Sequence, residues 1–312
     1  MSKLKILIGF GTINRPRMLI ETLSSLANLE IPKDVSVEIV VADNDPKESA
    51  RETVTDQINL FTKSKLTYLT EPRRGIVFMR NTIIDYALKQ GADLLAFIDD
   101  DEMVAPEWLN RMLETKEKHG ADVVVGRVAR IFPDDTPGWI KSGKFFERPS
   151  IPTGTVRTAA STSNVIYDLK KLAVDMELRF HPALNLSGSS DTYMFTEATE
   201  KGAKIVWLND DLVHEWVPKS RMTVQWQLQR AFRHTNCRTL RKRLKHPYYR
   251  ALISESGYGL LHFLLGIVTF PVYIFRGKAG LVHTLRFLWK GAGSFAGLTG
   301  FVYKEYEKIH GY

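Results

Sequence analysis

Cysteine is almost absent from this chain of 312 residues, in which Cys237 is the only one. A single cysteine excludes a disulfide within the chain and is typical of a reducing compartment. No signal-peptide cleavage pattern is visible at the start, and internal repeats and low-complexity tracts are lacking too. Because the hydrophobic content of 44% and the charged content of 25% are ordinary, we expect one large α/β domain with an appendage.

Acidic residues are missing from residues 238–250, and the whole chain has a net charge of +8. The basic side chains in that stretch are Arg238, Arg241, Lys242, Arg243, Lys245 and Arg250. Such a cluster could bind nucleic acid, anionic lipid or a phosphorylated substrate, or it could be a solvated helix face. Because only this cluster would indicate a nucleic acid, we expect no nucleic-acid partner.

Short apolar strands alternate with helical segments over roughly the first 210 residues. The predicted strands are residues 5–10, 37–42, 66–69, 94–98, 123–129, 161–167 and 204–208. This alternation is typical of a mostly parallel sheet covered by helices on both faces. Residues 132–158 are rich in Pro, Gly and Lys without any period, which indicates an ordered excursion over the sheet edge.

The most informative stretch is the apolar run at residues 94–98, which is followed at once by Asp99, Asp100, Asp101 and Glu102. We interpret the run as a buried parallel strand, so the acids lie at its carboxyl end, where open α/β sheets bind ligands. Four adjacent carboxylates repel one another unless a cation is present, and oxygen ligands suit Mg²⁺ or Mn²⁺, especially with phosphate oxygens. The alternative is a solvated acidic loop.

Other polar residues are expected at the same end of the sheet. Asp43, like Asp99 and Asp101, follows a predicted parallel strand, and Arg80 begins a helix whose preceding loop opens there. His214 follows the last strand. A crevice with carboxylates, an arginine and a histidine is suited to a metal–diphosphate and a sugar.

Asp191 opens a helix, where it could be an N-cap or a functional carboxylate. An acceptor hydroxyl that attacks a sugar must lose its proton, and a carboxylate within hydrogen-bonding reach can serve as the base. Only one candidate base lies apart from the acidic cluster, which favours a single displacement and inversion at the anomeric carbon.

The ordered set of motifs resembles the inverting family 2 glycosyltransferases with a GT-A fold, over roughly residues 4–235. The matching segments are residues 12–16 (TINRP), 40–44 (VVADN), 80–81 (RN), 97–101 (FIDDD, a DxD motif), 191–193 with Gly202, and 213–214 (VH), followed by Arg221, Trp226 and Arg230. Gly300 and residues 303–306 (YKEY) are similar to the bacterial exopolysaccharide, succinoglycan-type subgroup, which builds repeat units on a lipid carrier.

The resemblance implies a role for each matching residue. The donor would be bound by Thr12, Asn14, Arg15, Asp43, Arg80, Asp99 and Asp100, the metal by Asp101 and His214, and the acceptor hydroxyl would be deprotonated by Asp191. One departure is Ser190, where the family usually has Glu. Ser189 and Ser190 could hydrogen-bond an acceptor hydroxyl instead.

The implied function is transfer of a sugar from a nucleotide diphosphate donor, expected to be a UDP-sugar, to a lipid-linked saccharide, with Mg²⁺ or Mn²⁺ as cofactor. A sugar nucleotidyltransferase is the first alternative, although residues 9–12 (GFGT) match its Gly-rich loop only faintly. An aspartyl phosphatase also has D-x-D after a strand, but that strand lies near the start of its catalytic domain. A non-catalytic sugar-nucleotide-binding protein is the last alternative.

We place the domain boundary between residues 1–235, the catalytic domain, and residues 236–312, a helical and membrane-associating region. Residues 257–275 have no formal charge, but Pro271 and three glycines argue against a straight span. Arg286 and Lys290 interrupt the next apolar stretch. We therefore expect peripheral or monotopic attachment to the cytoplasmic face of a bacterial inner membrane. Alternatively, these helices pack on the catalytic domain or on a second subunit.

Overall fold

Eleven strands, nine α-helices and five short helical turns make up the part of the chain that the computed structural model describes, residues 3–147 and 149–305. The strands are β1 (Leu4–Thr12), β2 (Val35–Asp43), β3 (Lys65–Thr70), β4 (Leu94–Phe97), β5 (Glu102–Val104), β6 (Val123–Gly126), β7 (Ala129–Ile131), β8 (Val156–Arg157), β9 (Val165–Asp168), β10 (Ile205–Leu208) and β11 (Val213–Trp216). The helices are α1 (Pro16–Ala27), α2 (Arg51–Gln57), α3 (Ile76–Lys89), α4 (Trp108–His119), α5 (Gly138–Gly143), α6 (Ser190–Glu200), α7 (Val224–Lys245), α8 (Tyr248–Tyr273) and α9 (Gly277–Leu298).

The main sheet has the strand order β3-β2-β1-β4-β9-β6-β10-β8. Strands β3, β2, β1 and β4 are parallel neighbours, and β6 is parallel to β10. Strand β9 lies antiparallel between β4 and β6, and β8 is an antiparallel edge strand beside β10. The predicted mostly parallel α/β architecture is confirmed.

Helices cover both faces of this sheet, as the sequence predicts. On one face α1 and α4 bury Leu19 and Trp108 in one apolar cluster, and on the other α3 and α6 bury Ile83 and Phe195 in a second. Burying a large apolar side chain stabilises the fold by about 1.5–3 kcal/mol. The sheet is therefore fixed from both sides, and its carboxyl end is a rigid base for a site.

Helix α3 approaches the end of β1 closely because residue 11 is glycine. A Cβ at Gly11 would overlap the side chain of Met79. A larger residue at position 11 would therefore require the Met79 side chain, which packs between α3 and β1, to shift.

Two of the predicted strands differ in the structure, one by its end and one by dividing in two. The strand at 94–98 ends at Phe97, and after the acidic turn the chain forms β5, which begins with Glu102. The strand at 123–129 divides into β6 in the main sheet and β7 in a second sheet of order β5-β11-β7. Hydrophobic runs predict strand character but not a change of sheet, because both sheets bury apolar side chains.

The C-terminal helices continue the fold without a break at residue 235, since α7 runs through that position. Helix α9 packs against both α7 and α8. Small residues allow this close approach: a Cβ at Gly293 of α9 would overlap the Phe232 carbonyl of α7, and one at Gly259 would meet the ring of Phe295. Helix α8 contains Pro271 near its end and continues to Tyr273.

Most of the basic cluster at residues 238–250 is engaged inside the protein. Arg238 and Lys242 form ion pairs of 3.2 and 3.1 Å with Glu255, which is completely buried. Arg243 donates to the Gly297 carbonyl at 2.8 Å, and Lys245 pairs with the Glu200 carboxylate at 2.7 Å. The interpretation of this cluster as a free basic surface is therefore corrected, because its charges hold α7 against neighbouring helices.

Candidate functional site

A cavity of about 300 Å³ lies at the carboxyl ends of β1 and β4. Its walls come from α3, the second sheet, α7 and residue 305. Its arginines are Arg15, Arg74, Arg80, Arg130, Arg221, Arg230 and Arg233, and its acids are Asp99, Asp100, Asp101, Glu215 and Glu305. Because cations outnumber carboxylates in this wall, the cavity favours an anionic ligand such as a diphosphate.

Asp100 is turned toward β1 and α1 and is buried. Its carboxylate accepts hydrogen bonds from Thr12 Oγ1 and Arg15 Nη1, both at 2.8 Å, and its carbonyl accepts one from Thr22 Oγ1 at 3.0 Å. Burial raises the pKa of Asp100 to about 6, against the opposing charge of Arg15. This residue, predicted to bind the donor, therefore holds the acidic turn in place.

Asp99 and Asp101 flank Asp100 and are not tied in this way. Asp101 Oδ2 lies 3.6 Å from Arg221 Nη2 and 3.9 Å from Arg15 Nη1, both longer than a hydrogen bond. The Asp99 side chain is 43% exposed, and its Oδ1 lies 4.0 Å from Arg80 Nη2. Desolvation raises the pKa of Asp99 although part of the side chain is open, and the nearby charges of Asp101 and Asp191 raise it further, while that of Arg80 lowers it.

Two glutamates face each other behind the acidic turn. Glu102 of β5 is paired in register with Glu215 of β11, and both are buried. Glu215 forms ion pairs with Arg130 and Arg221, so its charge is balanced. Glu102 Oε2 accepts the Asp99 amide hydrogen at 2.8 Å, but its buried Oε1 has no partner among the described residues. Burial, with the charge of Asp99, raises the pKa of Glu102 well above its usual value.

Arg80 is held firmly for an arginine that lines a cavity. Its side chain is buried, Nη1 donates to Ser190 Oγ at 3.2 Å, and its guanidinium lies 5.4 Å from the centre of the Phe180 ring. Ser190, the departure from the family motif, is thus used to position Arg80. A fixed guanidinium at the sheet end can bind a phosphate with little loss of side-chain entropy.

Asp43 and Asn14 lie outside the cavity wall. Asp43 is completely buried, and its carboxylate accepts hydrogen bonds from the Asp45 and Ala50 amides and from Tyr68 Oη, at 2.8–2.9 Å. Asn14 is exposed, with a left-handed φ of 49°. Their predicted donor contacts remain predictions, and in the structure Asp43 stabilises the loop after β2.

Asn44, which the sequence interpretation did not select, lines the cavity in their place. Its Nδ2 donates to the Glu71 and Arg73 carbonyls, and its Oδ1 accepts the Gly75 amide hydrogen at 2.7 Å. It therefore fixes the loop that leads into α3. In the sequence Asn44 was noticed only as the last residue of the matching segment 40–44, next to Asp43 at the end of a strand.

His214 lies on β11 but on the other face from Glu215, because side chains alternate along a strand. Its partner in register is Met103 of β5. Glu215 lines the cavity, and His214 does not. The metal-ligand role of His214 thus remains a prediction, with the half-buried imidazole on the face of β11 opposite to Glu215.

Asp191 is the second residue of α6, and Ser189 occupies the N-cap position with φ 65°. The interpretation of Asp191 as the N-cap is therefore wrong. Its Oδ1 accepts the amide hydrogen of Thr192 at 2.6 Å, and the side chain is half-buried. Asp191 does not line the cavity itself, but Ser190 beside it hydrogen-bonds Arg80, so the start of α6 borders the cavity.

The acidic turn fits a divalent cation only together with a ligand. No group of three His, Cys, Asp or Glu residues suited to a metal occurs in the described chain. Mg²⁺, however, is commonly held through one or two carboxylates and the oxygens of a bound phosphate. Asp101, whose carboxylate makes no hydrogen bond to either neighbouring arginine, can serve in this way.

Several cavity residues carried weak signals or none in the sequence. Arg221, Trp226 and Arg230 follow the VH motif and were noticed only as part of the resemblance. Glu305 belongs to the YKEY segment but lies more than 200 residues from the acidic turn in sequence, so no spacing argument places it in the wall.

The comparisons with known proteins agree with this geometry. The family model Glycosyl transferase family 2 matches residues 10–171. Succinoglycan biosynthesis protein ExoM of Rhizobium meliloti (strain 1021) is 33% identical over 312 residues, which cover 98% of this chain and 96% of that protein.

Crystal structures of S. aureus TarS have a similar fold. TarS 1–349 in complex with UDP-GlcNAc matches with a TM-score of 0.54 and 16% identity, over 96% of this chain and 93% of that chain. The complex with UDP has a TM-score of 0.53 and 15% identity over the same shares. A longer TarS chain is matched over 39% of its length. The predicted GT-A fold is confirmed.

Proposed function

This chain belongs to glycosyl transferase family 2, and from that premise we propose that it transfers a sugar from a nucleotide diphosphate donor to a lipid-linked saccharide during exopolysaccharide synthesis. The observation that carries the proposal is the arginine-rich cavity beside the acidic turn at the carboxyl end of the sheet. The similarity to succinoglycan biosynthesis protein ExoM over nearly the full chain supports the exopolysaccharide context.

A UDP-sugar is the proposed donor. UDP and UDP-GlcNAc are bound in the TarS structures, which share the fold. In this chain Arg80 and Arg221 would bind the diphosphate, since guanidinium groups hydrogen-bond phosphate oxygens in pairs. Thr12 lies at the end of β1 in the same wall, and Asp99 would accept hydrogen bonds from the ribose or the sugar.

Asp191 is the proposed base. An acceptor hydroxyl that approaches the border of the cavity at the start of α6 would lose its proton to the Asp191 carboxylate as its oxygen attacks the anomeric carbon. The sugar–phosphate bond breaks on the opposite side, so a single displacement inverts that carbon. The arginines of the cavity stabilise the negative charge that forms on the departing nucleoside diphosphate.

Mg²⁺ or Mn²⁺ is the proposed cofactor, with Asp101 as its protein ligand and His214 as the further predicted one. When bound, such a cation would neutralise charge on the diphosphate leaving group. Arg221 and Arg15, at 3.6 and 3.9 Å from the Asp101 carboxylate, would partly balance its charge.

Attachment to a membrane is supported by the outer face of α8. Residues 248–298 contain a helical stretch long and apolar enough to cross a membrane by length and composition, and 17% of its most apolar window is buried. The exposed apolar side chains include Ile253, Leu260, Leu264, Ile267, Val268 and Phe275. Arg250 at one end of α8, and Arg276 and Lys278 at the other, are exposed as well.

A helix that exposes an apolar face between basic ends suits the surface of an anionic bilayer. We propose peripheral or monotopic attachment at the cytoplasmic face of a bacterial inner membrane, where donor and lipid-linked acceptor meet. The inner faces of α8 and α9 pack on each other and on α7. Packing within the protein, the alternative to membrane attachment, therefore accounts for their inner faces and leaves the outer face of α8 for the membrane.

The test is a panel of UDP-glucose, UDP-galactose, UDP-N-acetylglucosamine and GDP-mannose, each with Mn²⁺ or Mg²⁺, read by release of the nucleoside diphosphate. Slow hydrolysis of one donor, accelerated by a saccharide acceptor, is expected. Release of pyrophosphate from a nucleoside triphosphate and a sugar phosphate would favour a nucleotidyltransferase instead. Binding of a nucleotide sugar without any turnover would favour a non-catalytic protein.

A further inference from the structure

The chain returns to the cavity after its last helix. Gly300 has φ +97°, a value that only glycine adopts readily, and its amide donates to the Gly297 carbonyl at 3.3 Å. The Phe301 amide donates to the Ala296 carbonyl at 3.1 Å. Residues 301–305, which we call the C-terminal strap, therefore reverse direction and run back over α7.

Asn236 of α7 holds the strap at two points. Its Nδ2 donates to the Phe301 carbonyl, and its Oδ1 accepts the Tyr303 amide hydrogen, both at 2.9 Å. Asn236 is completely buried, and the ring of Phe232 lies 6.1 Å from the rings of Phe301 and Tyr303. A buried amide with both ends bonded to one backbone segment fixes the path of that segment.

The strap ends with Glu305 in the wall of the cavity. Glu305 forms an ion pair with Arg233, and the two side chains remain 20% and 28% exposed. Both line the cavity, and so do Phe146 and Trp226, whose rings are nearly parallel with centres 5.6 Å apart. The wall formed by α7, the strap and Phe146 thus combines a carboxylate, aromatic rings and guanidinium groups, and the Arg230 guanidinium lies 5.6 and 5.1 Å from the Phe146 and Trp226 ring centres.

We propose that Glu305 and Arg233 form a subsite that binds the hydroxyl groups of a sugar, with Phe146 and Trp226 packing against its apolar face. This inference rests on the proposed glycosyltransferase function and specifies where in the cavity a sugar binds. A carboxylate accepts hydrogen bonds from hydroxyl groups, and a guanidinium donates to them. Since the Glu305 charge repels phosphate and is balanced by Arg233, the pair suits a neutral polyol better than a diphosphate.

Two substrates contain such a sugar, namely the donor and the acceptor saccharide. Both contain a ring with several hydroxyl groups. Separate KM values for the donor and for the acceptor show which of the two sugars the subsite binds. The experiment uses the full-length chain with Glu305→Ala and Glu305→Gln, and with Glu114→Gln as the control. Glu114 is an exposed glutamate on α4 that pairs with Arg111 and lies outside the cavity wall.

The measurements are the KM for the donor that is hydrolysed among UDP-glucose, UDP-galactose and UDP-N-acetylglucosamine, the KM for the matching octyl glycosides as acceptors, and the dissociation constant of UDP alone. We expect Glu305→Ala to raise the KM of one sugar substrate by about tenfold or more, the loss typical of a hydrogen bond to a charged group. Glu305→Gln keeps an acceptor oxygen and should recover part of the loss, with UDP binding changed less than about twofold.

An increase in donor KM with slower acceptor-free hydrolysis assigns the subsite to the donor sugar, and an increase confined to the acceptor KM assigns it to the acceptor. Unchanged KM values in Glu305→Ala would overturn the inference, as would equal weakening of UDP and UDP-sugar binding, which indicates a merely structural strap. A wild-type protein that neither binds nor turns over a nucleotide sugar would overturn the proposed function together with this subsite. An active wild type with unaffected variants overturns the subsite alone.

Discussion

Arg15 binds the middle carboxylate of the acidic turn, with its Nη1 donating to Asp100 Oδ1 at 2.8 Å. Thr12 Oγ1 donates to the second oxygen of Asp100 at the same distance. Asp100 is therefore committed to the fold, and the carboxylates on either side of it, Asp99 and Asp101, are left to face the cavity. In this chain the two acids that are free to bind a ligand are therefore separated by one residue, which is the D-x-D spacing.

Replacing Arg15 by alanine should release this turn. Asp100 would lose a charge-assisted hydrogen bond while buried, which costs roughly 1.5–3 kcal/mol, and Asp101 would lose a cation 3.9 Å away. We expect the turnover rate to fall about tenfold or more, measured as release of nucleoside diphosphate. Arg17→Ala is the matched control, because Arg17 is exposed in the first turn of α1, two residues after Arg15, and does not line the cavity. Equal activity of the two variants would contradict the positioning role.

Replacing Asp101 by asparagine should abolish turnover and remove the effect of Mn²⁺ on UDP binding. The substitution keeps the shape of the side chain and removes the charge that would face a cation. Calorimetric titration of UDP with Mn²⁺ and with excess EDTA checks this without relying on activity. Wild-type protein that remains fully active in excess chelator would refute the metal role.

Replacing Asp191 by asparagine should slow transfer by about a hundredfold or more, while UDP binding stays near the wild-type value. The reason is that the base acts on the acceptor and not on the nucleotide. Because Ser189 and not Asp191 occupies the N-cap, the stability of α6 should change little. The measurement is single-turnover transfer beside UDP titration, and full activity of the variant would remove Asp191 from the mechanism.

The acidic turn and Arg80 could be predicted because local rules determine both. An apolar run ending in acids specifies a strand end, and parallel strands bring their carboxyl ends together. In the structure the run ends at Phe97, and Arg80 and Asp99 lie 4.0 Å apart although they belong to different elements. The sequence was therefore sufficient to predict that the acidic turn and Arg80 lie close together at the floor of the cavity.

The rest of the wall depends on long-range packing that no periodicity encodes. Glu215 reaches the cavity, and His214 does not, because the chain changes sheet before β11 and thereby sets which face points inward. Glu305 arrives only because Gly300 reverses the chain and Asn236 holds the strap. Strand register in the second sheet and the reversal of the chain at Gly300 both depend on tertiary packing. The sequence could therefore suggest Glu215 and Glu305 only through resemblance to a family.

Low pH should destabilise the loop before α3, the helix that contains Arg80, because it protonates Glu71. The Glu71 carboxylate accepts hydrogen bonds from Arg73 and from Thr82 Oγ1, and the Arg73 side chain is the largest cause that lowers the Glu71 pKa to about 2, against burial. A carboxyl whose folded pKa lies below its unfolded value of 4.5 stabilises the fold above pH 4.5, and this contribution is lost as the pH falls toward 2. Because the Arg73 side chain is 64% exposed and solvent screens the pair, we expect Glu71→Gln to lose roughly 1–2 kcal/mol of unfolding free energy at pH 6.

The Glu71→Gln difference from wild type should shrink as urea unfolding is repeated at pH 5, 4 and 3. Glu52→Gln, on an exposed position in the first turn of α2, is the control and should follow the wild type throughout. A Glu71→Gln difference that does not depend on pH would show that lost packing, and not the ionised carboxylate, is responsible.

Introducing charge on the outer face of α8 should detach the protein from membranes without unfolding it. Leu264 and Ile267 are 59% and 66% exposed, so glutamate at both positions leaves the fold intact, but each loses about 1.5–3 kcal/mol of apolar burial in a bilayer. We expect Leu264→Glu with Ile267→Glu to bind vesicles of phosphatidylglycerol and phosphatidylcholine about a hundredfold more weakly than the wild type in a sedimentation assay. Ile58→Glu, at an apolar position that is 47% exposed in a short helix outside the C-terminal region, is the control and should bind like the wild type. A different result would contradict this proposal: the wild type does not bind vesicles but forms a dimer, and the double variant is a monomer. That result would show that a second copy of the chain covers this face.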